Sequence, residues 1–335
     1  MDLKDDIAGL ASPDPRRRIP AEDRLRDAGA EAVRALREAV ADPATAEPVQ
    51  RRAADLLGWI LHDGAVEAFR RATPAPELID VWAGAVAIAA ERHADLDPVG
   101  ADRRLEEIVA GARDVVPAEA SVADRAVRLT AYLHGELGFR GDDVTYGDLR
   151  NSYLPDVLDR RRGIPVTLAI VWMAVANRLG LRSAGVGLPL HFVARCETGD
   201  GPVFVDAFYG ALLDEEGCRR LVARAAGRDV SLPASAFRPL RPEEVLARML
   251  RNLRSTHERA GRLHMALASV DRLLHLQPLE VAALRDRAIL MARLGRPTAA
   301  ARALSRALAL LPEGPERERL TEVRGRLQRE AAQRN

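Results

Sequence analysis

His191 and Asp206 are the residues of this chain best suited to chemistry, an imidazole and a carboxylate carried by neighbouring short segments. Upstream, the sequence predicts a mostly apolar helix from Val166 to Leu179, entered through Gly163-Ile164-Pro165 and closed by Gly180. A helix start facing two strands that carry His and Asp is the layout of the Cys-His-Asp transferases and hydrolases. In that layout the helix N-terminus favours a thiolate, the imidazole takes its proton and the carboxylate orients the ring.

The elements that must hold these groups follow from periodicity. Proline suits a first helical position, because its missing N–H would have been unpaired there anyway. Leu168, Val171, Trp172, Val175 and Leu179 recur at helical spacing, and Ala169, Ala174 and Ala176 leave little polar surface, so the helix is expected to be buried on all sides. Downstream, Arg182 to Gly187, His191 to Cys196 and Val203 to Phe208 alternate like antiparallel strands, with turn chemistry at Thr198-Gly199-Asp200-Gly201-Pro202. His191 is expected at the start of one strand and Asp206 near the end of the next.

Nucleophiles are scarce. Cys196 stands at an odd separation from His191 on a strand, so its side chain is expected on the opposite sheet face. Cys218 falls in the helical stretch after Asp214-Glu215-Glu216, with no sequence reason to approach the imidazole. Thr167 lies in the first turn of the site helix, but its hydroxyl needs a strong adjacent base to attack anything, and its commoner use is to hydrogen-bond the helix N-terminus.

Residues from about Asp80 to Gly217 resemble the bacterial SirB-one family, a transglutaminase-like domain followed by tetratricopeptide repeats. The resemblance rests on Leu137-Gly138-Phe139, Asn151-Ser152-Tyr153-Leu154, Val157-Leu158-Asp159-Arg160-Arg161, Gly163-Ile164-Pro165-Val166-Thr167-Leu168, Gly185-Val186-Gly187-Leu188-Pro189 with His191-Phe192, and Asp206-Ala207-Phe208. It implies an α+β fold: a helical N-terminal region, a papain-like core with a small antiparallel sheet, and C-terminal helical hairpins. Transglutaminase-like enzymes open the site helix with Gly-x-Cys, so the match puts Pro165 at the nucleophile position, while His191 and Asp206 match the other two catalytic positions. The family's usual Pro-Gly-His is Pro189-Leu190-His191 here, and its Asp-Pro-Phe is Asp206-Ala207-Phe208; both changes are expected to remove backbone constraint beside the site.

Two functions of different class are consistent with this pattern. One is a noncatalytic adaptor that uses its cleft and its repeats to hold protein partners. The alternative is an amide or ester hydrolase or acyltransferase that uses His191 and Asp206 with water or a nucleophile other than cysteine, Thr167 being the candidate in the first turn. The His–Asp pair can also persist simply as a satisfied hydrogen bond fixing the sheet, since an unpaired buried polar group costs about 1–3 kcal/mol. Around the cleft, Asn151, Tyr153 and Pro165 are candidate binding residues, with a turn and apolar anchor the alternative for Asn151 and Tyr153. Arg161, in the run Arg160-Arg161-Arg162, is a candidate anion contact or one member of a solvated face paired to Asp156 or Asp159. The other histidines, His62, His93, His134, His257, His264 and His275, lack metal-ligand spacing, and no metal or cofactor is expected.

The C-terminal part carries an internal repeat. A shift of 34 residues superposes Leu250 on Leu284, His257 on Met291, Gly261 on Gly295, Ala266 on Ala300 and Pro278 on Pro312, the tetratricopeptide pattern. Two repeats are expected, 247–280 and 281–313, with a charged capping helix from Glu316 to Ala331. Two repeats and a cap cannot bury a large core alone, so they are expected to dock on the preceding domain. Any remaining concave face would take a peptide or protein segment, unless the chain's own helices fill it.

The N-terminal third is read as helical, Ala21 to Val40 and Glu47 to His62, with a weak HEAT-like look, followed by helices at Leu78 to Ala94, Asp102 to Val115 and Ala123 to Leu137. The domain boundaries expected are 1–75, 76–235 and 236–335. With 335 residues, 47% hydrophobic content and a formal charge of +1, the composition is that of a globular protein, and net neutrality argues against nucleic acid as the main partner. No apolar run reaches membrane-spanning length and the start Met1-Asp2-Leu3-Lys4-Asp5-Asp6 is too polar for a signal peptide, so the cytoplasm is the expected compartment. Two cysteines without motif spacing agree with a reducing environment.

Overall fold

The chain opens with helices α1 (Leu3–Gly9), α2 (Pro15–Asp27), α3 (Ala30–Ala41) and α4 (Glu47–Ala72) in a computed structural model that describes residues 3–92 and 97–334. The segment expected as one helix from Ala21 to Val40 is two, because the chain turns at Gly29 with φ 52°. Conversely, α4 runs ten residues beyond His62, through Asp63-Gly64. Its apolar stripe continues as Ala65, Val66 and Phe69, all buried, and that burial outweighs the roughly 1 kcal/mol cost of a glycine inside a helix. His93 and the end of the helix expected from Leu78 to Ala94 lie outside the described residues; the part described is α5 (Val81–Ile88), capped by the Asp80 carboxylate accepting from Ala83 N–H.

The site is built by the elements that follow: α6 (Pro98–Val115), α7 (Val122–Thr130), β1 (Arg140–Gly141), α8 (Leu154–Arg160), β2 (Arg162–Gly163), α9 (Pro165–Arg178), β3 (Ser183–Val186), β4 (Val193–Thr198), β5 (Gly201–Asp206), β6 (Ala211–Leu213), α10 (Glu215–Ala226) and α11 (Pro242–Arg259). As its composition requires, α9 is buried from Pro165 through Ala176. It ends in a left-handed Gly180, with Leu181 N–H donating to Ala176 O at 2.8 Å. The four-stranded sheet has the antiparallel order β3-β4-β5-β6, with Ala194 opposite Val205 and Asp206 opposite Ala211. One face packs Val186, Val193 and Phe204 against Cys218 and Val222 of α10 and against Phe237.

The chain ends with α12 (Leu263–Leu276), α13 (Val281–Arg293), α14 (Pro297–Leu310) and α15 (Pro315–Arg334). The 34-residue register holds in three dimensions. Gly261 and Gly295 both take left-handed backbone, at φ 70° and 71°, and each is followed by a residue donating back into the preceding helix, Arg262 to His257 O and Arg296 to Met291 O. The capping helix α15 packs Leu320, Val323 and Leu327 on Ala288, Ala303 and Leu304.

Two compact units result, and they group the segments differently from three consecutive domains. One comprises the chain up to Arg71, a short stretch from Ala90, and everything from His257 onward; the other holds residues 72–89 and 97–256. In the first, α1 to α4 share a core of residues such as Leu10, Leu25, Leu36, Val49 and Leu56. The repeats meet α4 directly: Ala65 and Val66 pack on Ala268 and Met265 of α12, Trp59 lies edge-on to His264, and His62 Nε2 is 3.0 Å from Asp271 Oδ2. This face of the repeats is therefore covered by the chain's own helix. In the second unit, α11 belongs with the core up to Thr256 rather than with the repeats, because Val245, Leu246, Met249 and Leu250 are buried and Leu246 sits tightly against Gly84 of α5.

Candidate functional site

At the start of α9, Gly163 precedes Ile164 and Pro165 without room for a side chain, since a Cβ there would lie 2.7 Å from Thr167 Oγ1. Ile164 cannot cap a helix with its side chain, so Thr167 does the work from inside the first turn: its oxygen accepts from Ile164 N–H at 3.1 Å. The Thr167 hydroxyl in turn donates to Asn151 O at 2.8 Å, with Ile164 O a second acceptor at 3.0 Å. Fully buried and committed on both sides, this oxygen has no free proton relay. Pro165 occupies the first helical position, carrying neither an N–H nor a polar side chain.

His191 and Asp206 meet. Nε2 of the imidazole lies 3.0 Å from Asp206 Oδ1, and the same oxygen accepts from the N–H groups of Phe208 at 3.0 Å and Tyr209 at 3.3 Å. A carboxylate only accepts, so in the neutral imidazole this contact places the proton on Nε2 and the lone pair on Nδ1. Nδ1 has no hydrogen-bond partner among the described residues. Both side chains are buried, and the imidazole has two aromatic neighbours: Tyr209 lies parallel to it with centroids 6.1 Å apart, and Phe208 meets it edge-on at 6.0 Å.

His191 sits in the turn before β4 rather than on the strand, its N–H donating to Leu188 O. Leu190 shapes that turn with φ 61°, a left-handed conformation that a glycine adopts freely and a leucine at a cost of about 1–2 kcal/mol. Replacing the family's glycine has therefore not loosened this backbone; the glycine-type conformation is kept, with strain. Asp206 is the last residue of β5, and Gly141 of β1 is tied to the next turn through its N–H to Phe208 O at 2.9 Å.

The remaining sequence candidates divide. Asn151 is fully buried and saturated: Nδ2 donates to Asp142 Oδ2 and Thr145 O, and Oδ1 accepts from Arg160 Nη1. It ties the 142–151 loop to α8. Burial pushes the Asp142 carboxyl up, but hydrogen bonds from Thr145 and Asn151, with the Arg160 charge, hold it below the usual carboxylate range. Tyr153 is buried. Arg161 is exposed and donates to Leu137 O, and its own backbone is left-handed where it closes α8. Burial pushes both cysteine thiols up to about 12; Cys196 is on β4 and Cys218 on α10. Among the described residues no group of His, Cys, Asp and Glu is placed to hold a metal ion, and no helix is long and apolar enough to cross a membrane.

Sequence reasoning missed Arg248, Tyr209 and β6. Arg248, on α11, donates from Nη2 to His191 O at 3.4 Å, which brings a guanidinium to the imidazole turn. Its signal was hidden because α11 also satisfies the repeat pattern. Tyr209 lies one residue beyond the matched Asp-Ala-Phe motif.

A papain-like helix and sheet with a His–Asp pair, in a chain ending in helical hairpins, make this a transglutaminase-like protein with tetratricopeptide repeats. Family comparison agrees: the transglutaminase-like superfamily matches residues 100–251 and the tetratricopeptide repeat matches residues 253–325. A UPF0162 protein of Xylella fastidiosa is 34% identical over 72% of this chain and 87% of its own length, and one of Pseudomonas aeruginosa is 35% identical over 74% and 90%. The chain belongs to the UPF0162 family. A shorter stretch, 38% of the chain, is 32% identical to 21% of the mouse F-box only protein 21. No solved structure matches it.

Proposed function

We propose that this protein is a noncatalytic transglutaminase-like adaptor, which holds protein partners through the cleft around His191 and through its repeats. The single observation that carries this reading is the start of α9. Pro165 stands where the nucleophile of such enzymes stands, and the one hydroxyl in the first turn, Thr167, is spent on capping the helix. Neither cysteine substitutes for it, since each thiol is buried and protonated at neutral pH.

The repeats support protein binding by their general character, although α4 already covers one of their faces. Cytoplasmic location belongs to the same reading. A second reading has one observation in its favour. The His191–Asp206 pair keeps the orientation a general base needs, with Nδ1 unpartnered, so water could serve as nucleophile in amide or ester hydrolysis. An assay separates the two. The full-length chain, incubated with p-nitrophenyl acetate and with a capped glutamine dipeptide plus a fluorescent amine, is expected to give the same turnover as its His191→Ala variant. Hydrolysis or amine incorporation that disappears with His191 would overturn the adaptor reading in favour of the enzyme.

A further inference from the structure

Arg248 is a half-buried guanidinium whose only hydrogen bond among the described residues is the long one to His191 O. No carboxylate of the described residues lies within ion-pairing distance of it. The charged and titratable groups that act on it are Tyr146, which favours its charge, and Arg251, which opposes it, while burial draws it below its ordinary value. A cation withdrawn from water without a counter-ion is an unfavourable arrangement that an anion relieves.

The surroundings fit a ligand rather than an internal partner. Above the buried imidazole the surface is apolar and aromatic: Leu190 is 62% exposed, Tyr209 55% and Tyr146 47%. Tyr209 lies parallel to His191, and Tyr146 reaches Phe208 with centroids 6.4 Å apart, so these rings form one connected rim. A planar guanidinium presents paired donors that match a carboxylate in geometry as well as charge. Exposed tyrosines are the side chains that hold peptide backbone and apolar groups with little loss of conformational freedom.

We propose that Arg248 anchors a carboxylate-binding subsite at the rim of the His191 cleft, and that its ligand is an acidic peptide segment held by the guanidinium and flanked by Tyr146, Tyr209 and Leu190. This rests on the reading of the cleft as a partner-binding site and names the chemistry of the partner. The carboxylate is that of an Asp or Glu side chain within the segment.

The test uses the full-length chain labelled with carbon-13 on its tyrosine rings. Of its four tyrosines, Tyr146 and Tyr209 line the rim, and Tyr132 and Tyr153 are buried and report whether the fold is intact. Three probes are titrated: acetyl-Ala-Glu-Ala-amide, its Gln isostere, and acetyl-Ala-Gln-Ala with a free carboxyl terminus. The Glu peptide is expected to shift Tyr146 and Tyr209 saturably and to bind more tightly than the free terminus; tighter binding of the free terminus would overturn the acidic side chain as the ligand. The neutral isostere should bind at least about tenfold more weakly. Arg248→Gln should abolish the shift and Arg248→Lys should keep part of it, with Tyr132 and Tyr153 unchanged in both. Equal binding of the neutral peptide, undiminished binding by a folded Arg248→Gln variant, or no shift with any probe overturns the proposal. Because the readout is binding, it stands or falls separately from the turnover assay: a chain that hydrolyses esters and also selects the acidic peptide would sink the adaptor and leave this subsite.

Discussion

Substituting Asp206 tests whether the His–Asp pair is part of the framework of the second unit. The carboxylate is 1% exposed, and one oxygen serves three donors: His191 Nε2 at 3.0 Å, Phe208 N–H at 3.0 Å and Tyr209 N–H at 3.3 Å. Asp206→Ala leaves all three without an acceptor in a region with little access to water. At a little over 1 kcal/mol for each stranded donor, with a small void added, the expected loss is about 3–5 kcal/mol. Asp206→Asn keeps a carbonyl oxygen for the two backbone donors and the imidazole and loses only the charge, so its expected loss is about 1–2 kcal/mol. Urea unfolding followed by tryptophan fluorescence measures both. Trp59 is first replaced by Phe so that the signal comes from Trp82 and Trp172, which lie in the second unit. If Asp206→Ala lay within about 0.5 kcal/mol of the parent, a difference typical of unremarkable surface changes, the pair would be dispensable to the fold and the framework reading would be refuted.

Leu190→Gly should raise the stability of the same unit by up to about 1 kcal/mol, the strain of a left-handed leucine less the entropy of the added glycine; a fall in the urea midpoint would show that Leu190 contributes packing that outweighs its strain. Cys196 and Cys218, with thiols pushed up to about 12, should react with an aromatic disulfide reagent at pH 8 only as fast as the chain unfolds, and rapid labelling of either in the native protein would contradict their burial. The first unit should lose stability on acidification. The Asp271 carboxyl, which burial pushes up, is held low overall by the His62 hydrogen bond and the Arg287 charge; Asp55 is held low by the His264 imidazole, its Nε2 3.2 Å away, against burial, with Arg296 assisting. A carboxyl depressed in the folded state stabilises at pH above its unfolded value of 3.8 and loses that contribution as pH falls through the folded value. Thermal melts of Asp271→Asn should therefore start lower at neutral pH, by the equivalent of about 1–2 kcal/mol, and fall less than the parent below pH 4. Parallel curves for the two proteins would show that Asp271 is not a source of the acid sensitivity.

Much of this protein follows from local chemistry. The buried helix α9 comes from an apolar run between a proline and a glycine, and its limits agree with the expected ones to a residue. The repeat register, from Gly261 and Gly295 to Ala266 and Ala300, is a periodicity of composition, and each repeat imposes the same contacts wherever it stands. The order His191 then Asp206 on antiparallel segments also follows, because strand alternation and turn residues are local signals. Other features depend on residues far apart in sequence. That α4 runs past Asp63-Gly64 was decided by α12, more than 190 residues away, which supplies Ala268 and Met265 for Ala65 and Val66 to pack against. That the Asn151 side chain is built into a buried network was decided by Asp142, Thr145 and Arg160 converging on one amide. Arg248 became part of the site only because α11 packs on the core and carries its guanidinium to the His191 turn. Backbone conformation and apolar periodicity are set by neighbours in the chain, so sequence determines them; the partner of a buried charge or the cover of a groove is set by which surfaces meet, and only the folded structure decides that.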